Sequence, residues 1–431
     1  MNKIQAIRGM NDILPEDSYK WEWIEYRIQQ WLLSFGYENI RTPVLESTDL
    51  FVKSIGVATD IVEKEMYTFT DALNGDSLTL RPEGTASAVR AALEHNMTYS
   101  SPRRLYYFGP MFRHERPQKG RYRQFHQVGV EALGFSGPVV DAENVLMASE
   151  LWKLLELPSE ACRLEVNSLG SSDDRVKYRE ALVGYLKDNE NLLDADSCRR
   201  LHTNPLRVLD SKNPDTQKIV ASAPKLLNFL SAESVANFDR FKSLLQRANI
   251  DFKVNPNLVR GLDYYNDVVY EWKTDYLGAQ GTICAGGRYD GLAEQIGGKS
   301  VPACGFALGI ERVLAVLEHC KTPIPRQTPD AYVVFADLKT QDYAWDVSTE
   351  LRQNNLCVVL HGGAGSLKSQ MKKADNSGAK FAIILGESEA ENKTVSLKRL
   401  RDEKNAVDNQ QQEHSLSEVI KIMREEASGT V

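Results

Sequence analysis

This sequence of 431 residues lacks several features that would define a class of protein. No apolar run approaches the roughly 20 residues of a membrane span, so we expect no membrane segment. The first residues, MNKIQAIRGMNDILPED, have no apolar core of the kind that a signal peptide needs, which argues against secretion. No tract of low complexity is present either, and the length then predicts two or three globular domains.

Cysteines are few and widely separated. None of them forms a C-x-x-C pair, so neither a zinc site nor a disulfide framework is indicated, and a reducing cytoplasm fits best. A phosphate-binding ATPase loop is also missing, because His361–Ser369 opens a helix without the G-x-x-x-x-G-K-[ST] spacing. The six cysteines are Cys162, Cys198, Cys284, Cys304, Cys320 and Cys357.

Positive charge is not in overall excess, since the formal net charge is −7. A nucleic acid would therefore have to bind at a local basic patch. The strongest patch is a loop at 113–123, between two apolar strands predicted over 104–112 and 124–133. Such a loop suggests a polyphosphate, a nucleic acid or both as ligand, and a solvated hairpin tip is the alternative. Its charged residues are Arg113, Glu115, Arg116, Lys119, Arg121 and Arg123.

The strand that follows this loop carries polar residues on one face. Side chains alternate along a strand, so Gln127, Gly129 and Glu131 share a face. Two polar groups beside a residue without a side chain form a notch, which would make a pocket floor for a small polar molecule.

The composition and periodicity of the sequence change at two places along the chain. Between 168 and 255 the pattern is helical and polar, which predicts a helical insertion within a sheet domain. Lys321–Pro329 is rich in proline and indicates a linker. Strand–helix alternation after it predicts a separate α/β unit. We therefore expect one domain over 1–325 and another over 326–431.

Four further residues, Glu83, Arg260, Tyr264 and Tyr265, are candidates for a ligand pocket. Glu83 precedes a helix predicted to begin with Thr85 as its cap, so its carboxylate would favour the helix dipole or catch an ammonium group of a ligand. Arg260 stands beside a glycine in a predicted strand over 257–272. In an extended strand Tyr264 and Tyr265 would point to opposite faces, and only one of them would share a pocket with Arg260.

The segment Ala303–Leu317 has one bulky face and one nearly bare face. Ala307 and Gly309 belong to the bare face, which would admit a packed helix or a flat ring. Arg312 falls in the first turn of the following helix, where a cation is unfavourable, so an anionic partner is expected.

Several motifs now carry a resemblance, and they follow the order of a known family along nearly the whole chain. The sequence resembles the class II aminoacyl-tRNA synthetases and, within them, the histidyl-tRNA synthetase family. The helix and strand ending at Pro43 are similar to motif 1. The sharper matches are RPEGT (Arg81–Thr85), FRHE (Phe112–Glu115), GRYRQFHQVGVE (Gly120–Glu131), LVRGLDYY (Leu258–Tyr265), AGGRYDGL (Ala285–Leu292) and GIER (Gly309–Arg312).

The resemblance implies an α+β catalytic domain with an antiparallel sheet flanked by helices, a helical insertion, and a C-terminal α/β anticodon-binding domain. It implies a homodimer formed through motif 1. The expected activity is activation of histidine with ATP to histidyl-adenylate, with release of pyrophosphate, and transfer of histidine to the 3′ end of tRNA-His. Mg²⁺ would bridge the phosphates. The alternative is the regulatory subunit of ATP phosphoribosyltransferase, a histidine-binding relative without catalysis, which lacks a domain like the one after Pro329.

The resemblance also implies a role for each matching residue. Arg113 and Arg260 would be catalytic, because fixed cations stabilise charge on the α-phosphate. No metal ligand is assigned, and Arg116 and Gln118 would meet the tRNA acceptor end. Histidine would bind to Glu83, Thr85, Gln127, Glu131, Tyr264, Tyr265 and Tyr289. ATP would bind to Arg113, Glu115, Arg121, Phe125 and Arg312.

Overall fold

The computed structural model describes residues 3–211, 213–278, 281–363, 365–401 and 411–428. The chain divides into two compact units, Met1–Ile324 and Pro325–Val431, and the boundary falls within the proline-rich segment. Within the described ranges, none of the helices has the length and apolar character needed to cross a bilayer.

The first unit is built on a large sheet. Its strands, in chain order, are β1 (Glu38–Asn39), β2 (Leu45–Ser47), β3 (Tyr67–Thr70), β4 (Ser77–Leu80), β5 (Arg103–Phe112), β6 (Gln124–Leu133), β7 (Arg163–Ser168), β8 (Phe252–Val254), β9 (Asn266–Lys273), β10 (Thr282–Arg288) and β11 (Ala303–Gly309). Eight of them form the sheet β1-β5-β6-β11-β10-β9-β7-β8, and a small sheet has the order β2-β4-β3. All central pairs are antiparallel, as predicted, and only the edge pairs β1/β5 and β7/β8 are parallel.

Helices pack against the large sheet. Those of the first unit are α1 (Pro15–Ser34), α2 (Thr48–Ile55), α3 (Thr85–Glu94), α4 (Pro138–Leu154), α5 (Ser172–Asp188), α6 (Ala195–Thr203), α7 (Pro214–Ser222), α8 (Ala232–Arg247), α9 (Leu292–Gln295) and α10 (Ile310–Cys320). Apolar side chains of α1, α4 and α10 pack against Val128, Phe306 and Leu308 of the sheet. Because side chains alternate along strands, the opposite face is left for other residues.

Apolar residues at helical spacing over 17–35 predict an amphipathic helix with Asp17 or Ser18 as its N-cap. The helix is present, but it begins at Pro15, because proline suits the first helical position. Ile24, Ile28 and Leu32 are spaced by four residues and are fully buried.

Two predicted strands are shorter than expected. The sequence predicts a strand over 38–44, but the strand ends at Asn39, because the carbonyls of Thr42 and Pro43 accept from the Arg81 guanidinium and not from a ladder. The strand expected over 257–272 begins only at Asn266. The residues before it form an irregular loop, which we name the β8–β9 loop (Leu258–Tyr265).

The described residues between β7 and β8 form no strand, and they contain α5 to α8 joined by loops and short 3₁₀ turns. Strong caps define several of these helices. Ser171 and Asp174 form a capping box at the start of α5, and Asp194 accepts from the amides of Asp196 and Ser197 at the start of α6.

The second unit has a sheet of its own. Its elements are β12 (Ala331–Phe335), α11 (Gln341–Gln353), β13 (Val358–Leu360), α12 (Leu367–Asn376), β14 (Phe381–Leu385), α13 (Glu387–Asn392), β15 (Thr394–Arg399), β16 (Gln412–Ser415) and α14 (Leu416–Ser428). The order is β13-β12-β14-β15-β16. The first three strands are parallel, as expected, and β15 and β16 add antiparallel pairs.

Candidate active site

A cleft opens on the face of the large sheet that the core helices leave free. Gln127 and Ala307 line it, while their neighbours Val128 and Leu308 are buried in the core on the opposite face. The empty space within the cleft, including its open mouth, is about 870 Å³.

The floor of the cleft is a row of residues paired across five strands. Glu271 of β9 pairs with Ala285 of β10, which pairs with Ala307 of β11. Ala307 pairs with Gly129 of β6, and Gly129 with Tyr107 of β5. The two alanines therefore leave bare sheet between a carboxylate at one end and an aromatic ring at the other.

The notch expected at Gly129 is not open. A Cβ atom there would lie 1.9 Å from the Tyr107 ring, and one on Gly84 would lie 2.2 Å from the same ring. The ring of Tyr107 fills the gap between the two glycines, so the expectation of a ligand notch is wrong at this position. Sequence reasoning did not find Tyr107, because only the pairing of β5 with β6 brings it to Gly129.

Glu131 lies beneath the cleft wall and is almost fully buried. Its Oε1 accepts from the Tyr107 hydroxyl at 3.1 Å, and its Oε2 accepts from the hydroxyl of Tyr289. Burial raises the pKa of Glu131 to about 8, although the hydrogen bond from Tyr289 opposes the shift. Glu131 and Tyr289 form a polar layer behind the wall.

Three tyrosine rings meet beside this carboxylate. The ring centroids of Tyr264 and Tyr265 are 4.6 Å apart, and those of Tyr264 and Tyr289 are 5.5 Å apart. Tyr264 and Tyr265 both line the cleft together with Arg260. The expectation that only one of the two tyrosines would share a pocket with Arg260 is wrong, because the β8–β9 loop is irregular and its side chains do not alternate.

Glu83, Thr85 and Gln127 form another side of the cleft. The Glu83 carboxylate accepts from the amides of Thr85 and Ala86, at 2.6 and 2.9 Å, and so closes the amino end of α3. Thr85 is the first residue of the helix and Gly84 its cap, so the expected Thr85 cap is wrong. Among the described atoms, Gln127 Oε1 is buried without a hydrogen-bond partner, which suits a donor from a ligand.

Cations crowd the other end of the cleft. Arg113 donates to the carbonyl of Pro82 at 2.8 Å and lies over the ring of Phe125. Burial lowers the pKa of Arg113. Arg121 pairs with Glu115, and the latter is nearly buried. An additional guanidinium, that of Arg260, pairs with a carboxylate at the edge of the floor, that of Glu271.

Arg312 has carbonyl partners where an anionic one was expected. Its Nε donates to Gly120 at 2.8 Å and its Nη1 to Thr282 at 2.6 Å. Burial, followed by the nearby charges of Arg113 and Arg121, lowers the pKa of Arg312 to about 10. A guanidinium surrounded by other cations in this way attracts an anion.

Arg116 and Gln118 lie apart from the cleft wall. Both are exposed at the tip of the loop between β5 and β6, where Gln118 and Arg121 exchange backbone hydrogen bonds. The cleft also contains residues that sequence reasoning missed, including Tyr122, Thr282 and Ala285. Ala285 begins the motif AGGRYDGL, but nothing in the sequence indicates that Ala285 pairs with Glu271.

Comparisons with known families agree with this geometry. The family model described as histidyl-tRNA synthetase matches residues 9–313. The chain belongs to the histidyl-tRNA synthetase family. A second model, described as an anticodon binding domain, matches residues 330–426.

Relatives in this family are similar over nearly the whole chain. The histidine–tRNA ligase of Nitrosomonas europaea is 58% identical over 399 residues, which cover 93% of this chain and 94% of the relative. That of Laribacter hongkongensis is 56% identical over 400 residues, with the same coverage of 93% and 94%.

Solved structures show the same fold. The apo histidyl-tRNA synthetase of S. aureus superposes with a TM-score of 0.81 and 36% identity, covering 98% of this chain and all 100% of that one. A Bacillus halodurans structure, named as an ATP phosphoribosyltransferase regulatory subunit/histidyl-tRNA synthetase, has a TM-score of 0.64 at 21% identity, covering 90% and 99%. At that identity the likeness concerns the fold alone.

Proposed function

We propose that this chain activates histidine with ATP and transfers it to tRNA-His in the cleft on the large sheet. Members of the histidyl-tRNA synthetase family are class II aminoacyl-tRNA synthetases, and the chain is one of them. The observation that carries the assignment is a single cleft with two chemically different ends. One end has a buried carboxylate and tyrosines, and the other has clustered guanidinium groups.

The first step joins two anions, and the cations of the cleft make it possible. The carboxylate of histidine attacks the α-phosphorus of ATP, an acyl–phosphate bond forms, and pyrophosphate leaves with the electrons of the broken P–O bond. Negative charge grows on the α-phosphoryl oxygens, so fixed donors at that place lower the barrier. Arg113 and Arg260 are the residues we assign to it. Their planar forks can hold phosphate oxygens with two hydrogen bonds.

Histidine is recognised by the polar end of the cleft. Its α-ammonium group would donate to Glu83 and to the unpartnered Oε1 of Gln127, with Thr85 beside them. Its imidazole would reach Glu131 and the tyrosines Tyr264, Tyr265 and Tyr289. A site built to hydrogen-bond a ring in this way rejects apolar analogues strongly, because its buried polar groups would lose their partners.

ATP lies at the cationic end. We assign Arg312 to the γ-phosphate, and Glu115, Arg121 and Phe125 to the remainder of the nucleotide. Mg²⁺ supplies charge neutralisation when it is bound to the phosphates. Among the described residues no group of three metal-ligating side chains occurs, and the fit is to an ion held mainly by phosphate and water with one or two carboxylates. Glu311, which lines the cleft and accepts from the backbone amide of His126, would be one such carboxylate.

Transfer requires tRNA at two places. The exposed Arg116 and Gln118 would meet the acceptor end. The unit Pro325–Val431 would read the anticodon, since its residues 330–426 match an anticodon-binding family. We assign catalysis to the first unit, with the helical insertion over 168–255 as part of it.

We further propose a cytoplasmic homodimer. All six cysteines are free thiols, which suits a reducing compartment. The outer face of α1 exposes Tyr26 and Leu33, and the following segment exposes Val44 and Leu45. Exposed apolar residues of this kind suit an interface with a second copy.

Histidine-dependent exchange of radiolabelled pyrophosphate into ATP tests the assignment. We expect exchange with histidine and not with proline or threonine. Transfer of labelled histidine to tRNA-His tests the second step. The regulatory-subunit alternative is not favoured by the relatives, which are named as ligases at 56–58% identity. A protein that binds histidine without exchange would nevertheless restore it.

A further inference from the structure

Arg260 belongs to a part of the chain that has no ladder to hold it. The β8–β9 loop lies outside the strands of the sheet, and β9 begins only after it, at Asn266. Among the described atoms, Arg260 Nε is buried and has no hydrogen-bond partner, so it is available to an acceptor from a ligand. Its Nη1, in contrast, donates to the carboxylate of Glu271.

Glu271 stands on a rigid element. It lies in the middle of β9, and both neighbouring strands pair at its position, through Ala285 of β10 and Glu165 of β7. Its side chain is 11% exposed and is at the edge of the bare alanine floor. This ion pair ties the irregular loop to the sheet at Arg260, while Asn167 of β7 donates to the carbonyl of Leu258.

The carboxylate is held from two more directions. Thr282 donates its hydroxyl to Oε2 of Glu271 at 3.2 Å. A β-bulge between Thr282 and Cys284 shifts the register, so that Thr282 faces the same side as Glu271. The carbonyl of Thr282 also accepts from Arg312. One residue therefore connects the support of Arg260 with that of the other deep cation.

Packing alone does not explain this carboxylate. Glu271 lies directly opposite another acid, Glu165, and like charges opposed across strands are destabilising. Lys273 bridges them, with its Nζ 3.1 Å from Glu271 and 2.9 Å from Glu165. An apolar residue at 271 would need no such bridge, so the acid indicates a role in the site.

We propose that Glu271 is a positioning residue, which fixes the guanidinium of Arg260 so that its free Nε faces the phosphate at which charge develops. This inference rests on the proposed function. Glu271 itself touches no substrate, and it acts on the reaction through Arg260.

The test compares Glu271→Gln with Glu165→Gln in the full-length enzyme. Both changes remove one charge from the same cluster, but only Glu271 contacts Arg260. We expect Glu271→Gln to lower kcat of pyrophosphate exchange about 100-fold, since small misplacement of a catalytic group has effects of that order. KM for histidine should change less than about threefold. Glu165→Gln should remain within about threefold of the wild type for both quantities.

Two additional variants separate positioning from other roles. In an Arg260→Ala background, Glu271→Gln should have no further effect beyond about twofold, because the residue through which it acts is gone. Glu271→Asp keeps the charge but withdraws the carboxylate by one methylene, so its kcat should fall as well. Histidine binding, measured by calorimetry, reports whether each variant is folded.

Four results would overturn the role: wild-type turnover in Glu271→Gln, equal losses in Glu165→Gln, full additivity with Arg260→Ala, or recovery of Glu271→Gln at raised Mg²⁺. The last would make Glu271 a ligand of the metal nucleotide. A wild-type enzyme without histidine-dependent exchange would overturn the proposed function itself, and the role with it. An active wild type with any of the four results would overturn the role alone.

Discussion

The hydroxyl of Tyr107 donates a hydrogen bond to Oε1 of Glu131, with 3.1 Å between the two oxygens. Both residues are buried, and the ring of Tyr107 is fixed between Gly84 and Gly129. The tyrosine therefore holds the carboxylate from below while Tyr289 holds its other oxygen. In the proposed site, recognition of histidine would therefore depend in part on Tyr107, which does not line the cleft.

Tyr107→Phe should weaken histidine recognition while keeping the ring in place. Loss of one hydrogen bond to a buried carboxylate should raise KM for histidine about fivefold in pyrophosphate exchange. Tyr106→Phe is the matched control, because Tyr106 lies next to Tyr107 on the opposite face of the same strand. Equal effects of the two changes would argue against the role of Tyr107.

Gly129→Ala should destabilise the protein, because its Cβ would overlap the Tyr107 ring at 1.9 Å. Forced repacking of this kind costs about 1–3 kcal/mol, which should appear in the urea midpoint of the first unit. Gly184→Ala is the control. It lies within α5 with nothing near its added Cβ, so the change should be neutral or mildly stabilising.

Stability should depend on pH through Glu131. Burial raises the pKa of Glu131 from an ordinary 4.5 to about 8. Between pH 4.5 and pH 8 the folded state therefore retains a proton that the unfolded chain releases. The free energy of unfolding should then fall as pH rises through the window, by up to about 1.4 kcal/mol per unit. Glu131→Gln lacks this titration.

The measurement is urea unfolding of the wild type and Glu131→Gln at several pH values between about 5 and 8. The variant should gain relative to the wild type as pH rises. Parallel pH profiles of the two proteins would show that Glu131 keeps an ordinary pKa.

Arg312→Ala should impair the binding of ATP and spare that of histidine. Loss of a charged hydrogen-bond donor should raise KM for ATP about 10- to 100-fold in exchange. Arg312→Lys should restore little, because a single ammonium cannot donate to Gly120 and Thr282 as the planar fork does. A lysine variant with wild-type KM would show that charge alone is needed.

Removal of the unit Pro325–Val431 should weaken tRNA charging far more than adenylate formation. The unit has a core of its own, so the first unit should keep its cleft without it. Charging of tRNA-His and pyrophosphate exchange are measured on the same truncated protein. Equal damage to both activities would indicate that the second unit is needed for folding or dimerisation.

Local patterns predicted much of the fold. Sequence periodicity predicts strands over 77–80 and 124–133 and a helix over 232–247. The structure has all three with these bounds, because each has clear periodicity between turn or cap residues. The strand expected over 257–272 was too long, because tertiary contacts override its β-rich composition. The carbonyls of Leu258 and Tyr265 accept from side chains of Asn167 and Arg175, not from a ladder.

The candidate site, like the fold, is predictable from the sequence only in part. Motifs located Arg113, Arg260 and Arg312, and the structure places all three in one cleft. Tyr107 and Glu271 were not found, because their importance comes from residues paired with them across strands. The sequence alone does not reveal that Tyr107 pairs with Gly129, or that Glu271 pairs with Ala285, across neighbouring strands.

The pairing of β6 with β11 joins Gly129 to Ala307 across the whole intervening chain. Ribosomal synthesis proceeds from the amino end, so the proposed binding cleft for ATP and histidine cannot form until β11 has emerged from the ribosome. Contacts this distant in sequence form late and slowly. A nascent enzyme therefore remains unable to bind either substrate through most of its translation, and neither substrate can assist the early stages of its folding.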